Sequence, residues 1–379
     1  MARAPRIFVL ALPLVIGVGA ALDIGSRFVP VDAVGFRAWE VMFDAGPPGA
    51  PFAAGKRYFN PAAYGDLASL GNLPRARQRH AELFTTDEFG YRITTGVDAP
   101  GPPDVLLIGD SFFAGSSLSD AETLSSQLAA LSGRSSYDAA GLLPDLGRAT
   151  AVIQRLGMKH GTVLIEHLNG RTLPALYSPH RADPSWELCG RAVGRIELAD
   201  ICRQFVRGPS AAKIYAHRAL QSIQDDHVLP NPDLANVALR RLRNGDEMLF
   251  LPVDATRSYD VPQNDGTAEI QAGVYRQWSD ALRRMGLSLV VVLVPDKYAV
   301  YAPLFAQPER PIDAGYLVTL GGALAASGIA AVDLTAPLSA AAAAGVDRHE
   351  YVYWLDDTHW NPAGVSIAAR EILASGARP

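Results

Sequence analysis

The feature that most constrains the fold of this chain is the run Leu287–Val294, eight residues without a charge. A run of this length, made almost entirely of Leu and Val, is typical of a strand that is covered on both faces. The shorter run Val105–Ile108 has the same character. Strands buried on both faces occur mainly in parallel sheets with helices on either side. The two runs therefore favour a sheet between two layers of helices.

Helical patterns alternate with these strand-like runs. Ile270, Val274, Trp278 and Leu282 recur at four-residue spacing and predict the buried stripe of a helix that Gly286 ends. Further strands are predicted at 136–138, 162–166 and 329–333, and further helices at 123–131, 145–156, 313–327 and from Pro362 onward. The alternation predicts an α/β fold, a three-layer α/β/α sandwich with a mostly parallel sheet.

Composition divides the chain into three parts. Residues 1–24 have the pattern of a signal peptide or signal anchor, and residues 25–100, rich in Pro, Gly and Ala, predict an irregular N-terminal extension with short strands near 91–93. The main domain is expected at 101–379. Turn residues are frequent at about 167–267, so this stretch is predicted to be an inserted lobe.

The N-terminal segment predicts export. Arg3 and Arg6 precede an apolar run at 7–22, which is shorter than the roughly 20 residues that span a bilayer comfortably. The arginines should stay in the cytoplasm, so the remainder of the chain is expected in the periplasm, with the N-terminus as an inner-membrane anchor if it is not cleaved. A buried N-terminal helix is the alternative.

Two further features bear on partners and cofactors. Cys189 and Cys202 are expected to form a disulfide in an oxidising compartment, the alternative being two unpaired core cysteines. Without clustered histidines they do not make a zinc site, and no metal or other cofactor is predicted. A formal net charge of -5 and the absence of a Lys/Arg-rich run give no reason to expect nucleic-acid binding.

Ser111 is the first candidate for chemistry. It follows the predicted strand Val105–Ile108 by three residues and comes before a predicted helix. Functional groups of an open α/β sheet gather beyond the carboxyl ends of the strands. Gly109 permits a tight turn there, from which Ser111 can project as a nucleophile.

A second candidate block lies near the other end of the chain, at 356–364. It places His359 directly before a helix start, where Asn361 can cap the helix and Pro362 suits its first turn. A serine nucleophile needs a base, and the base needs a carboxylate that fixes its tautomer. We therefore predict His359 as general base and Asp357 as the acid that orients it, with Asp356 as the alternative acid.

The two blocks, Gly109-Asp110-Ser111-Phe112 and Asp357-Thr358-His359-Trp360, resemble those of the SGNH hydrolase superfamily. The resemblance is closest to the acetyltransferase-like branch found with bacterial exopolysaccharides, such as the alginate O-acetyltransferases. The segments at 87–92 and 294–298 are also similar to that branch. The resemblance implies an SGNH/flavodoxin-like sheet and acyl transfer through Ser111, although the alginate enzymes place the Asp/His block before the serine block.

The resemblance also implies donors that stabilise an oxyanion. Gly141 is the best match to the superfamily's second block. The third block, usually Gly-x-Asn-Asp, is absent; Asn169 is an alternative oxyanion donor and Arg171 could hold a substrate carboxylate. Asn169 and Gly170 are equally consistent with an ordinary turn.

Three functions follow from the resemblance as hypotheses. The first is an exported O-acetyltransferase that acts on an exopolysaccharide or cell-wall glycan, with acetyl handed over by a membrane acyltransferase. The second is a carbohydrate acetyl esterase that uses the same Ser/His/Asp triad with water as acceptor. The third is a non-catalytic protein that binds or assembles glycans. The first is preferred because the segments at 87–92 and 294–298 accompany an export segment.

Overall fold

The computed structural model describes residues 4–26, 37–43, 49–71, 73–97, 101–168, 237–252, 267–309 and 315–376, together with residues 216 and 254. The cysteines Cys189 and Cys202 and most of the predicted lobe at 167–267 lie outside the described residues. The disulfide therefore stays a prediction.

A five-stranded parallel sheet forms the centre of the molecule. Its strands are β3 (Val105–Ile108), β4 (Ser136–Asp138), β5 (Gly161–Leu168), β8 (Leu287–Val294) and β9 (Ala330–Asp333). Their spatial order is β4-β3-β5-β8-β9, and every neighbouring pair is parallel. This is the flavodoxin-like order. From β3 the chain adds β4 on one side of the sheet and then β5, β8 and β9 on the other, and ligands of such folds bind where the strand order reverses, between β3 and β5.

Helices cover both faces of the sheet. One face packs against α4 (Leu124–Ser132), α7 (Lys297–Tyr301), α9 (Thr335–Gly345) and α10 (Pro362–Ala374), and the other against α5 (Leu146–Leu156), α6 (Thr267–Arg284) and α8 (Tyr316–Ala326). Alternate residues of β8 enter the two cores, with Val292 on the first face and Val291 on the second. The predicted three-layer α/β/α architecture is confirmed.

The buried stripe predicted for α6 is partly wrong. Ile270 is 64% exposed, whereas Tyr275, Trp278 and Leu282 are fully buried. The helix turns Ala268, Ala272 and Tyr275 toward the sheet, because α8 and β8 pack on that side. The buried stripe of this helix is centred on Tyr275, and residue 270 lies outside that stripe.

The part before the sheet contains regular structure that composition did not predict. Its elements are α1 (Ala4–Ser26), α2 (Ala38–Met42), β1 (Arg57–Ala63), α3 (Asp66–Leu70) and β2 (His80–Thr85). Strands β1 and β2 pair antiparallel. Helix α1 covers the predicted signal segment, and no helix among the described residues is both long and apolar enough to cross a membrane.

A second antiparallel pair joins this N-terminal part to the rest of the molecule. Strands β6 (Ala238–Arg241) and β7 (Glu247–Phe250) form the pair. Leu249 of β7 packs in a small apolar cluster with Tyr64, Leu67 and Leu73. The N-terminal part therefore has its own apolar contacts beside the sheet, close to the loop at 353–360.

Candidate active site

Ser111 lies at the carboxyl edge of the sheet, in the turn that follows β3. The carboxylate of Glu166, at the corresponding end of β5, accepts the backbone N–H groups of Asp110 at 3.0 Å and Phe113 at 2.9 Å. A Cβ at Gly109 would lie 2.4 Å from Oε2 of Glu166, so only glycine allows this close approach. The turn therefore sits at the switch point of the sheet, pinned by a neighbouring strand.

The structure brings Ser111, His359 and Asp357 together although they lie far apart in sequence. Nε2 of His359 is 2.7 Å from Oγ of Ser111, and Nδ1 of His359 is 2.6 Å from Oδ1 of Asp357. Because a carboxylate can only accept, Nδ1 carries the imidazole proton and Nε2 accepts from the serine hydroxyl. His359 and Asp357 are buried, whereas Ser111 is partly exposed, so a substrate can approach the hydroxyl.

Local sequence holds His359 in place. Asn361 caps α10 by accepting the N–H groups of Ala363 and Gly364, and Pro362 occupies the first turn of that helix. The ring of Phe112, next to the serine, lies with its centroid 4.8 Å from that of the His359 imidazole. The cap predicted from sequence thus fixes the backbone immediately after the histidine.

Of the two candidate acids, Asp357 rather than Asp356 faces His359. Oδ2 of Asp356 accepts the backbone N–H groups of Gly65 and Gln78, both at 2.8 Å. Asp356 therefore ties the loop to the N-terminal part of the chain, and only Asp357 is hydrogen-bonded to the imidazole.

Asp357 is fully buried and its two oxygens have different partners. Oδ1 accepts from the backbone N–H and from Nδ1 of His359. Oδ2 accepts from the backbone N–H of Asp66 at 2.7 Å, the Ser117 hydroxyl at 2.7 Å and Nη2 of Arg37 at 3.3 Å. The carboxylate is thus surrounded by five donors.

The balance of influences on Asp357 favours the ionised form. Burial, the largest influence, acts against the charge, but His359, through its charge and its hydrogen bond, acts for it. The Arg37 guanidinium and the Ser117 hydroxyl act in the same direction. Together they hold the pKa of the Asp357 carboxyl well below its usual range, so the acid is an anion throughout the neutral pH range.

A third carboxyl, that of Asp66, lies beside this pair. Its Oδ1 accepts the Thr358 backbone N–H at 2.7 Å, and its Oδ2 is 4.0 Å from Nδ1 of His359. Burial and then the charge of Asp357 raise the pKa of Asp66. In the described part of the chain, Asp66, Asp357 and His359 offer potential metal ligands within 4.8 Å of one another, but His359 and Asp357 already bond to each other there.

Lys297 is fully buried under the same loop. Its ammonium donates to the backbone carbonyls of Leu249 at 2.6 Å, Leu355 at 3.1 Å and Asp357 at 2.9 Å. Burial lowers the pKa of Lys297 to about 7, although Asp356, Asp357 and Asp66 act to raise it. The lysine is neither a surface ion-pair partner nor a group exposed to substrate; it fastens β7 to the Asp/His loop.

Of the predicted oxyanion donors, one is described. The N–H of Gly141 donates to the carbonyl of Gly109 at 2.9 Å, so in this conformation it is not directed at a substrate. The Ser111 backbone N–H has no acceptor in the part of the chain that the structure describes. Asn169 and Arg171 lie outside the described residues, so their roles stay predictions.

Four residues at the site were not singled out from the sequence: Arg37, Asp66, Gln78 and Ser117. Three of them precede the sheet, in the segment predicted to be irregular. The sequence signal nearest to them was the segment at 87–92. Its Arg92 is fully buried and donates to the carbonyls of Ala114, Gly115 and Leu118, on both sides of Ser117.

Comparison with known proteins identifies relatives of the C-terminal part. Residues 246–378 match the family model described as SGNH hydrolase-like domain, acetyltransferase AlgX. This match includes Asp357 and His359 and lies downstream of Ser111.

Two curated proteins, both named probable alginate O-acetylase AlgJ, are similar to part of the chain. The protein of Pseudomonas syringae pv. tomato (strain ATCC BAA-871 / DC3000) is 35% identical over 124 residues, which are 32% of this chain and 29% of that protein. The protein of Pseudomonas fluorescens is 29% identical over 149 residues, 39% of this chain and 35% of that protein. The chain therefore spans about a third of the length of the curated relatives it matches.

Among solved structures, a GDSL-like lipase from Parabacteroides merdae ATCC 43184 aligns with 75% of this chain and with all of its own chain, at 9% identity and a TM-score of 0.36. A likeness this weak carries nothing about function, and the fold rests on the sheet and its two helix layers. The family model and the two curated proteins confirm the resemblance to the SGNH hydrolase superfamily and its acetyltransferase-like branch.

Proposed function

With this resemblance as the premise, we propose that the chain transfers an acetyl group, through an acyl-serine at Ser111, to hydroxyl groups of an exopolysaccharide. The observation that carries the proposal is the continuous hydrogen-bonded chain from Oγ of Ser111 through His359 to Asp357, with distances of 2.7 and 2.6 Å. The named activity of the curated relatives, alginate O-acetylation, supports an acetylated glycan as product.

In the first half-reaction the Ser111 hydroxyl attacks the carbonyl carbon of an acetyl ester or thioester, and Nε2 of His359 takes its proton. Asp357 stabilises the imidazolium that forms. The free N–H of Ser111 can donate to the oxyanion of the tetrahedral intermediate. The intermediate collapses to acetyl-Ser111, and the imidazolium returns its proton to the leaving alcohol or thiol.

In the second half-reaction a glycan hydroxyl takes the place of the leaving group. Nε2 of His359 removes the proton of that hydroxyl, whose oxygen attacks the acetyl carbonyl. Collapse forms the glycan acetate and restores the Ser111 hydroxyl with the proton from His359. Hydrolysis differs only in that water occupies the acceptor position.

The proposal includes an extracytoplasmic location. Arg3 and Arg6 before the apolar run at 7–22 support export to the periplasm with α1 as an inner-membrane anchor. An anchored enzyme would lie where a membrane acyltransferase could hand over acetyl groups. Cell fractionation of the full chain tests this location, because an anchored protein stays with membranes after high-salt washing.

Transfer and hydrolysis are distinguished with the purified full chain, p-nitrophenyl acetate as donor and alginate oligosaccharides as acceptor. We expect acetylated oligosaccharide by mass spectrometry in addition to p-nitrophenol, and neither from Ser111→Ala. A neutral glucan is tested as a second acceptor. If free acetate forms but neither acceptor is acetylated, the chain is an esterase and not a transferase. Undiminished turnover by Ser111→Ala would remove the basis for both.

A further inference from the structure

The turn after Ser111 contains a backbone conformation that serine rarely adopts. Ser117 has a φ of 62°, and His349 is the only other non-glycine residue with positive φ in the described ranges. Ser117 is also buried, at 2% exposure. The left-handed region is unfavourable for an ordinary L residue, because Cβ comes too close to the following carbonyl oxygen. Such strain persists where the surroundings fix it, and it is common at functional sites.

Arg92 is the group that fixes this turn. Its buried guanidinium donates to the carbonyl oxygens of Ala114, Gly115 and Leu118, and it pairs with Asp120 at 3.4 Å. Three carbonyls converging on one cation determine the path of the backbone on both sides of Ser117. Arg92 thus holds Ser117 in the conformation that directs its hydroxyl to Asp357.

Ser116 and Ser117 are neighbours that share one contact and differ in another. Both hydroxyls accept from Nη2 of Arg37 at 3.3 Å. The Ser117 hydroxyl also donates to Oδ2 of Asp357 at 2.7 Å, whereas the Ser116 hydroxyl makes no hydrogen bond to Asp357. Both are buried at 2% exposure. The chain therefore offers a matched pair for separating the hydroxyl that reaches the acid from one that does not.

We propose that Ser117 and Arg37 are positioning residues that lock the Asp357 carboxylate so that Oδ1 alone faces His359. Both residues donate to Oδ2, at 2.7 and 3.3 Å, while Oδ1 is left to the backbone N–H and Nδ1 of His359. With Oδ2 occupied, the carboxylate cannot rotate without breaking charge-assisted hydrogen bonds. This inference rests on the proposed acyl-transfer function of the same site.

The arrangement has a second effect, on charge. Donors at Oδ2 draw negative charge away from Oδ1 and so limit how strongly Asp357 stabilises the imidazolium. Removing a donor should strengthen that stabilisation, so a higher pH is then needed to free the base. The other charged groups around the acid are Asp66, Asp356 and Lys297, and none of them changes in the variants below.

Ser117→Ala and Ser117→Gly test the hydroxyl, with Ser116→Ala as control. Both Ser117 variants lack the donor, but glycine accepts positive φ without strain whereas alanine does not. We expect both to lower kcat by about tenfold or more with KM unchanged, and to move the acid limb of kcat/KM to higher pH. Ser116→Ala should keep the wild-type profile.

Different outcomes overturn the inference. A Ser117→Gly variant with wild-type kcat and an unmoved acid limb would show that the hydroxyl has no part in positioning. A Ser116→Ala variant as impaired as Ser117→Ala would show that loss of any buried hydroxyl here has the same effect. The Nδ1 proton resonance of His359, measured by NMR, gives a readout independent of activity, and it should shift in Ser117→Gly.

Arg37→Lys and Arg37→Gln test the cation. We expect Arg37→Gln to move the acid limb upward because the positive charge is lost, and Arg37→Lys to restore it in part. Equal profiles for Lys, Gln and Arg at this position would contradict the inference. Ser111→Ala is measured beside them. If Ser111→Ala retains turnover, the proposed function fails. If it is inactive but the Ser117 and Arg37 variants have wild-type kinetics, only the positioning inference fails.

Discussion

Ser111 and the Asp357–His359 pair are held by two different regions of the molecule. The serine turn is fixed by the central sheet, through β3 before it and Glu166 at the end of β5. The loop that carries the acid and base is tied to the chain before the sheet, through Arg37 and Asp66 at Asp357 and through Gly65 at Asp356. In one region a few neighbours along a strand edge suffice, and in the other the site depends on contacts that span most of the sequence.

The difference has a physical origin. A turn that directly follows a parallel strand is positioned by that strand. The strand is itself fixed by the cores on both faces of the sheet. The loop at 353–360 carries two fully buried carboxyl groups, Asp356 and Asp357, and the partly buried Asp66 lies beside them. Such a loop needs donors from elsewhere, because buried carboxylates without hydrogen bonds are costly. The N-terminal part provides them.

The largest effect is expected where the two regions meet, in Asp357→Asn. With the amide oxygen toward the three donors at the Oδ2 position, the NH2 group faces Nδ1 of His359 and favours the wrong tautomer, so kcat should fall by about 10³- to 10⁴-fold. Asp356→Asn is the matched control because Asp356 bonds only backbone N–H groups of residues 65 and 78. Steady-state kinetics of both variants would contradict the comparison if the two losses were equal.

The next effect concerns Lys297 and pH. Its pKa in the folded protein, about 7, lies below the ordinary 10.5, so between these values the unfolded chain binds more protons. This residue therefore makes stability rise with pH from about 7 to 10, by at most about 1.4 kcal/mol per pH unit, and adds no slope below pH 7.

Lys297→Met should remove that slope. Urea unfolding at several pH values should show a variant that is less stable than the wild type at pH 9, by about 2–4 kcal/mol, since the buried carbonyls lose the N–H groups of the neutral amine. The deficit should shrink toward pH 6, where the wild type bears the cost of a buried charge. A deficit that grows as pH falls would show that burial does not lower this pKa.

Glycine substitutions compare the packing of the two regions. A Cβ at Gly65 would lie 2.0 Å from the Asp356 carbonyl oxygen, and one at Gly109 would lie 2.4 Å from a Glu166 side-chain oxygen. Gly65→Ala must move backbone and should cost about 1–3 kcal/mol together with activity. Gly322→Ala, in helix α8 with nothing within 4 Å, should stabilise slightly. Thermal unfolding compares the two variants. A Gly65→Ala variant as stable as Gly322→Ala would contradict the close packing of Gly65 against the Asp356 backbone.

The smallest effect is expected for Glu166→Gln in the serine region. Burial and then Asp110 raise the pKa of Glu166 well above its usual value, and the amide oxygen of glutamine can accept the same backbone N–H groups of Asp110 and Phe113. Oγ of the nucleophile should stay in place, and stability should change by about 0.5 kcal/mol or less. A loss of activity comparable with that of Asp357→Asn would mean that Glu166 acts as an anion.

The same contrast explains what sequence could predict. The runs Val105–Ile108 and Leu287–Val294 are strands because their unbroken apolar character suits only a position between two helix layers, and the catalytic candidates followed from their places beside a strand end and a helix start. Arg37 and Ser117 could not be found this way. Their partner is Asp357, far along the chain, and no local periodicity records a contact over that separation. The Pro- and Gly-rich composition of 25–100 also concealed the β1–β2 pair, whose register shifts between Asn60 and Ala63.

The central claim, that Ser111 becomes acylated with the help of a histidine whose partner Asp357 is positioned by Ser117, is tested most directly by mass spectrometry of the rapidly quenched protein after mixing with p-nitrophenyl acetate. We predict one added acetyl group on the peptide containing Ser111, formed fast in the wild type, slowly in Ser117→Gly and not at all in Ser111→Ala. Acetylation at another residue, or the same yield and rate in all three proteins, would contradict the account.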